Sequence, residues 1–268
     1  MLRKVFAVSF SLVLCGLLTA ASYGQLSGLY EFDGGGDGSS WSDPVNWERV
    51  SDANGNPISG NPLAPPDGVT SADIPLGTAA VTTAGQTALD VNIGTSVGPG
   101  TLTVSAGDLF VSRDVYVGAD ITGSGNAGTL NVTGGDIHGD DDVNIGMTDD
   151  ISTPILSSGV MTVTAGTASS GDDLKIFQDG VLIVDGGTVD VGDNWTASGN
   201  ASFQIDSGSV IVRDDIRWGP SDMQAIINGG EIIVADKVRL NEDPGNSAKL
   251  TINGGLLRSD EYGVDGGR

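Results

Sequence analysis

Carboxylates are the only charged side chains in this sequence numerous enough to act as a group. The 268-residue chain holds 30 Asp but 5 Glu, against 12 Lys and Arg together, for a formal charge of −23. Asp recurs in doublets or beside a polar residue: Arg113-Asp114, Asp141-Asp142, Asp172-Asp173, Asp193-Asn194, Asp214-Asp215 and Asp236-Lys237. Clustered carboxylate oxygens are the ligands of Ca2+, which takes about six to eight of them. Asp114, Asp142, Asp173 and Asp215 are therefore the candidate calcium ligands. Their spacing matches neither an EF-hand loop nor the nonapeptide calcium repeat. The competing reading is structural: Asp accepts backbone N–H bonds in turns and stays solvated. Arg113 and Lys237 would then relieve the repulsion at the two ends of the series.

Other chemistry is poorly supplied. With so many Asp residues, chance pairs are inevitable, so no pair marks a glycoside hydrolase and no catalytic residue is assigned. Arg213 and Arg217 flank Asp214-Asp215 and read as an ion-pair ladder. His138 is the single histidine; it has no Ser or Cys nucleophile motif beside it in sequence and reads as a surface or turn residue. The single cysteine is Cys15, so a zinc site of Cys and His ligands is excluded. The acidic balance also excludes a nucleic-acid binder, which needs a basic face.

What must position the doublets is a repeat. GTLTVSAGDLFVSRDVYVG (100–118) aligns without gaps on GTLNVTGGDIHGDDDVNIG (128–146), and the same frame restarts at 159, 180, 201, 223 and, incompletely, 248. A degenerate copy runs from Gly77 to Gly94. The core unit is about 21 residues, too short to contain a crossover helix and too small to bury its own apolar face. Each unit has three apolar patches that alternate with period two, the mark of strands buried on one face. In the 180–198 unit these are Leu182/Val184, Val189/Val191 and Trp195/Ala197. Gly186-Gly187 and Gly192-Asp193-Asn194 separate them. The expected unit is strand, Gly turn, strand, Asp turn, strand. Stacked units predict an all-β, three-sided parallel β-solenoid of about eight coils, right-handed by the general crossover preference. Coils about 4.8 Å apart give a rod of roughly 38 Å. Leu102, Leu130, Met161, Leu182, Phe203, Ala225 and Leu250 form one predicted interior column. Val104, Val132, Val163, Val184, Ile205, Ile227 and Ile252 form another. The alternative fold is a β-sandwich, which does not explain the gapless frame.

Three segments follow. Residues 1–24 read as a secretory signal peptide: basic Arg3 and Lys4, an apolar run to Ala21, and small Ser22 and Gly24 before cleavage at Gln25. No later segment is apolar enough to span a bilayer. Residues 25–76 form an N-terminal cap rich in proline and aromatics, over a first coil whose edge needs covering. Trp41 and Trp47 read as packing on that coil, with a carbohydrate platform as the alternative. Residues 77–268 are the solenoid. Its two longest insertions, Ala119–Ala127 and Met147–Ser158, emerge from one corner on successive coils; they read as tolerated surface insertions, cheap in closure entropy, with a ligand-binding edge as the alternative. The C-terminal GVDGGR carries no visible cap, anchor or sorting tail, so a partner over the last coil or a truncated product is expected.

The opening Trp41-Ser42-Asp43-Pro44-Val45-Asn46-Trp47 and the G-T-L-x-V…D-V-x-V-G units resemble secreted bacterial β-solenoid proteins with autotransporter-type or PEP-CTERM-associated repeats. The resemblance covers most of 32–255. It implies an extracellular or cell-surface protein, and many such proteins have no assigned activity.

The expected function is thus an exported, non-enzymatic structural or surface-interaction solenoid. The alternative is a calcium-assisted β-helix that binds or cleaves polysaccharide. Extracellular polysaccharide or cell-envelope components are the expected partners; Ca2+ is the only cofactor considered.

Overall fold

A computed structural model describes residues 28–260, apart from 53, 55, 59, 61–63, 96, 119–126, 147–157, 220–222 and 241–247. The segment 1–24 expected to be a signal peptide, the C-terminal GVDGGR and all but the last residue of each long insertion lie outside the described residues. The described residues are all-β apart from one short 3-10 turn, Pro44–Asn46.

The repeat frame is the coil. Strands beginning each unit stack in parallel in the order Gly77–Val81, Gly100–Val104, Gly128–Gly139, Gly159–Ser170, Val181–Val191, Ser202–Val212, Gln224–Ile227 and Lys249–Ile252. The third patches stack into a second sheet, from Val91–Ile93 through Val115–Val117 to Val238–Leu240. Both predicted columns are in register: Leu130 lies beside Leu102 and Met161, and Val132 beside Val104 and Val163. The same pairing continues through Phe203 and Ile205 to Leu250 and Ile252. Alternation places one residue of each pair inside. A fully buried Leu or Val adds about 1.5–3 kcal/mol. At the far end of the described stack the column opens, and Ile252 is 50% exposed.

The Gly corner differs from expectation. In four central coils the first and second patches form one continuous strand of 11 or 12 residues, not two strands separated by a turn. The strand bends at a register irregularity beside the glycines. Glycine is required there for two reasons at once. Gly166 and Gly208 have positive φ, which disfavours a Cβ. A Cβ on Gly166 would also overlap the Gly135 carbonyl, and one on Gly208 the Gly187 carbonyl. The ladder breaks at the bend and resumes beyond it, at Thr167 beside Thr188.

The N-terminal segment covers the first coil. Gly28–Phe32 pairs antiparallel with Trp47–Ser51 and parallel with Thr70–Ile74, which continues the third-patch sheet onto Val91–Ile93. On the other sheet, Trp41 N–H donates to Ala80 O and Ala80 N–H donates to Ser39 O. Trp41 and Trp47 are wholly buried and meet edge to face, so neither offers a platform to a carbohydrate.

Candidate functional site: the acidic corner

The Asp doublets occupy the turn before the third strand, where stacking puts them in two rows. The second residue of each doublet forms an inner row: Asp90, Asp114, Asp142, Asp173, Asn194, Asp215 and Lys237. Its backbone joins the ladder from below, for Val115 N–H donates to Asp142 O and Trp195 N–H to Asp215 O. The first residues form an outer row, in which Asp172 N–H donates to Asp141 O and Asp193 N–H to Asp172 O.

Inner-row side chains reach along the stack. Asp114 Oδ1 accepts from Asp142 N–H at 3.2 Å, and Asp142 Oδ1 from Asp173 N–H at 3.1 Å. Asp173 Oδ1 accepts from Asn194 N–H at 2.9 Å, and Asp215 Oδ1 from Lys237 N–H at 3.1 Å. Each carboxylate binds the amide of its own counterpart one coil on.

Their second oxygens meet cations of this chain. Two unit charges 4.8 Å apart repel by about 0.9 kcal/mol in water and roughly 3–4 kcal/mol at an effective dielectric of 20. Lys175 Nζ lies 2.5 Å from Asp142 and 3.8 Å from Asp173. Arg239 and Arg217 lie 2.9 and 3.3 Å from Asp215. Arg113 forks onto Asp90 with bonds of 2.9 and 2.6 Å, and that hydrogen bonding is the main reason its pKa is raised. The Tyr116 hydroxyl donates to Asp114 at 3.1 Å. The sequence reading gave relief to Arg113 and Lys237; Lys237 does lie 3.5 Å from Asp236, but Lys175, Arg217 and Arg239 serve the interior of the row. The signal for them was present: residue i+2 in a strand points to the same face as i. Asp90 was missed because its repeat copy is degenerate.

All four calcium candidates fall in acidic clusters. Asp114 and Asp142 group with Asp141, Asp173 with Asp172 and Asp193, and Asp215 with Asp214 and Asp236; within each group the oxygens lie within 4.8 Å of one another. The electrostatics differ between rows. Burial pushes the Asp114 carboxyl up, with the Asp141 and Asp142 charges adding and the bonds from Asp142 N–H and Tyr116 opposing. In the outer row, desolvation first, then negative neighbours, raise Asp172 and Asp193; for Asp193 these are Asp214, Asp173 and Asp172.

A raised folded pKa means that the folded chain takes up the proton first as pH falls. Unfolding free energy then decreases as pH rises through that window. The charged Asp193 is therefore expected to weaken the fold at pH 7, and Asp193→Asn to raise the thermal midpoint. The amide introduced there keeps an oxygen that can accept the bond Asn194 Nδ2 makes to this side chain at 2.9 Å. The gain should fade by about pH 3, below the ordinary carboxylate range. Thermal melts of both proteins from pH 3 to 8 check this; a loss of stability at pH 7 contradicts it.

Away from this corner, His138 acquires partners from stacking. Its Nδ1 lies 2.8 Å from Ser169 Oγ of the next coil, and its Nε2 lies 3.0 Å from Asp140 Oδ1. His138 and Ser169 hold the same place in aligned repeats, so reading the column rather than the neighbours in sequence would have joined them. No helix among the described residues is long and apolar enough to cross a membrane. Comparison of the chain with protein-family models, with curated proteins and with solved structures gives no match in any of the three.

Proposed function

We propose that this protein is an exported structural or surface-interaction β-solenoid, displayed in the cell envelope or outside the cell, with no catalytic role for its acidic corner. The observation that carries this reading is the engagement of the inner row. Asp142, Asp173 and Asp215 each hold a neighbouring coil's N–H and face Lys175, Arg217 or Arg239. Such carboxylates stitch coils together. They are poor nucleophiles or bases, because their lone pairs are already used. The continuous ladders supply rigidity, the acidic surface supplies solubility, and the leader at 1–24 supplies export. The alternative, a calcium-assisted polysaccharide binder or lyase, draws support from the three acidic clusters. Extracellular polysaccharide and envelope components are the partners proposed for either reading.

A glycan array probed with residues 25–268, with and without Ca2+, separates the two. The scaffold reading expects the same pattern in both conditions. Glycan capture that appears only with calcium overturns it in favour of the alternative.

A further inference from the structure

We propose that Ser169 is an activated nucleophile on the outer face of the second-patch strands, with His138 as its base and Asp140 as a positioning residue. Its substrates are small, uncharged carboxylic esters with a good leaving group. This goes beyond the scaffold reading and does not rest on it.

The three side chains come from two coils that the ladder holds in register. His138 pairs with Ser169 across the parallel strands Gly128–Gly139 and Gly159–Ser170. Ser169 Oγ lies 2.8 Å from His138 Nδ1, against 3.4 Å from the Ile137 carbonyl, so the imidazole is its closer acceptor. Asp140 Oδ1, which as a carboxylate oxygen can accept but not donate, lies 3.0 Å from Nε2. It therefore selects the tautomer with the proton on Nε2, which leaves Nδ1 free of its proton to take that of Ser169. This is the nucleophile–base–orienter logic of acyl transfer. On the other side Ser169 faces Asp190, but Arg213 forks onto that carboxylate with bonds of 3.1 and 2.7 Å. The serine proton is thus directed toward His138.

His138 and Ser169 line a groove of about 410 Å3. Phe110, from the preceding coil, is 50% exposed and lies edge-on to His138 with ring centroids 6.1 Å apart. It gives an acyl group an apolar wall. Asp108 and Asp136 also line the groove and disfavour anionic substrates.

In the reaction, Ser169 Oγ attacks the carbonyl carbon and its proton passes to His138 Nδ1. The carbon–oxygen bond to the leaving alcohol or phenol breaks, and His138 returns the proton to that oxygen. The products are acyl-Ser169 and the free alcohol. Strand pairing on both sides occupies backbone N–H groups of this face, and Thr167 N–H is held by Asp136 at 2.8 Å. Water must then stabilise the oxyanion, which forgoes a factor of about 10²–10³ per missing donor. A good leaving group is required, and acylation rather than turnover is the expected readout.

The test treats the purified protein with p-nitrophenyl acetate and locates acetyl groups by peptide mass spectrometry. Ser169 is expected to acetylate faster than any other serine, with a burst of nitrophenol approaching one per chain. Ser169→Ala should abolish the burst, and His138→Ala should slow acetylation by roughly 10²-fold or more. Asp140→Asn should slow it by a smaller factor at unchanged burst size, and Asp140→Glu should restore part of the rate. Melting curves of the variants check that the coils persist, since all three side chains face outward. Acetylation of Ser169 no faster than at other exposed serines, or an unchanged rate in His138→Ala, overturns the proposal.

Discussion

Asp215→Ala is expected to be among the most damaging single substitutions at the acidic corner, costing about 2–4 kcal/mol in chemical denaturation. Asp215 is 2% exposed, the least exposed of the four calcium candidates. Alanine removes the acceptor of Lys237 N–H and the carboxylate that faces both Arg217 and Arg239. The two guanidinium groups are partly solvated, which holds the cost below that of a fully buried triad. Asp215→Asn keeps an acceptor for Lys237 and should lose roughly half as much. The contrast with Asp193→Asn is the useful part. Both positions belong to Asp-containing pairs in the same turn of adjacent coils, yet one change should weaken the protein and the other should strengthen it. An acidic coat acting only through net charge would give both changes the same sign.

Asn46→Ala should have a comparable effect at the opposite end, through a different cause. Asn46 is wholly buried in the loop that joins the two cap strands. Its Oδ1 accepts from Gly36 N–H at 2.8 Å and Gly38 N–H at 3.1 Å; its Nδ2 donates to Asp37 at 2.7 Å and to Ser40 O at 2.9 Å. Asp37 in turn accepts from Ser39 and Ser40 N–H, and these bonds hold its carboxyl below the ordinary carboxylate range. The loop positions Trp41 over the first coil, and Trp47 locks it there by donating from Nε1 to Trp41 O at 2.9 Å. Loss of four bonds at one buried side chain is worth about 2–4 kcal/mol. Because each coil touches only its neighbours, the loss should stay local. Hydrogen exchange is expected to quicken across Gly28–Phe32, Trp47–Ser51 and Gly77–Val81 and to stay unchanged in Ser202–Val212. Uniform loss of protection along the chain would contradict the nearest-neighbour picture.

The coil was legible because stacking leaves a direct trace in the sequence. A residue must resemble its counterpart one unit on, since both pack in one column. Hence the gapless frame predicted the register of Leu102 through Leu250 residue by residue. The Gly corner was misread as a turn because glycine marks both turns and bends. Only the fit of Gly166 against the Gly135 carbonyl distinguishes them. In the acidic corner the Asp column was legible, whereas its partners were marked only by their i+2 spacing and by no repeated chemistry. Lys175, Arg217 and Arg239 occur at one position of the third strand that other coils fill with Asn92, Tyr116, Asn144 or Thr196. No repeat signal marks a column whose members share a direction but not a chemistry. Ser169 escaped for the same reason, since its relation to His138 exists only between coils. The strand Thr70–Ile74 shows the limit from the other side: it continues the third-patch sheet without carrying the rest of the repeat.

The central claim is that this chain neutralises its acidic corner with its own N–H groups, lysine and arginines. Thermal melts in millimolar CaCl2 and MgCl2 at matched ionic strength test it most directly. Charge screening alone predicts equal, small shifts for the two salts. A midpoint that climbs with calcium and not with magnesium, and that loses this response in Asp173→Asn, would show a bound ion where the account places a self-contained column.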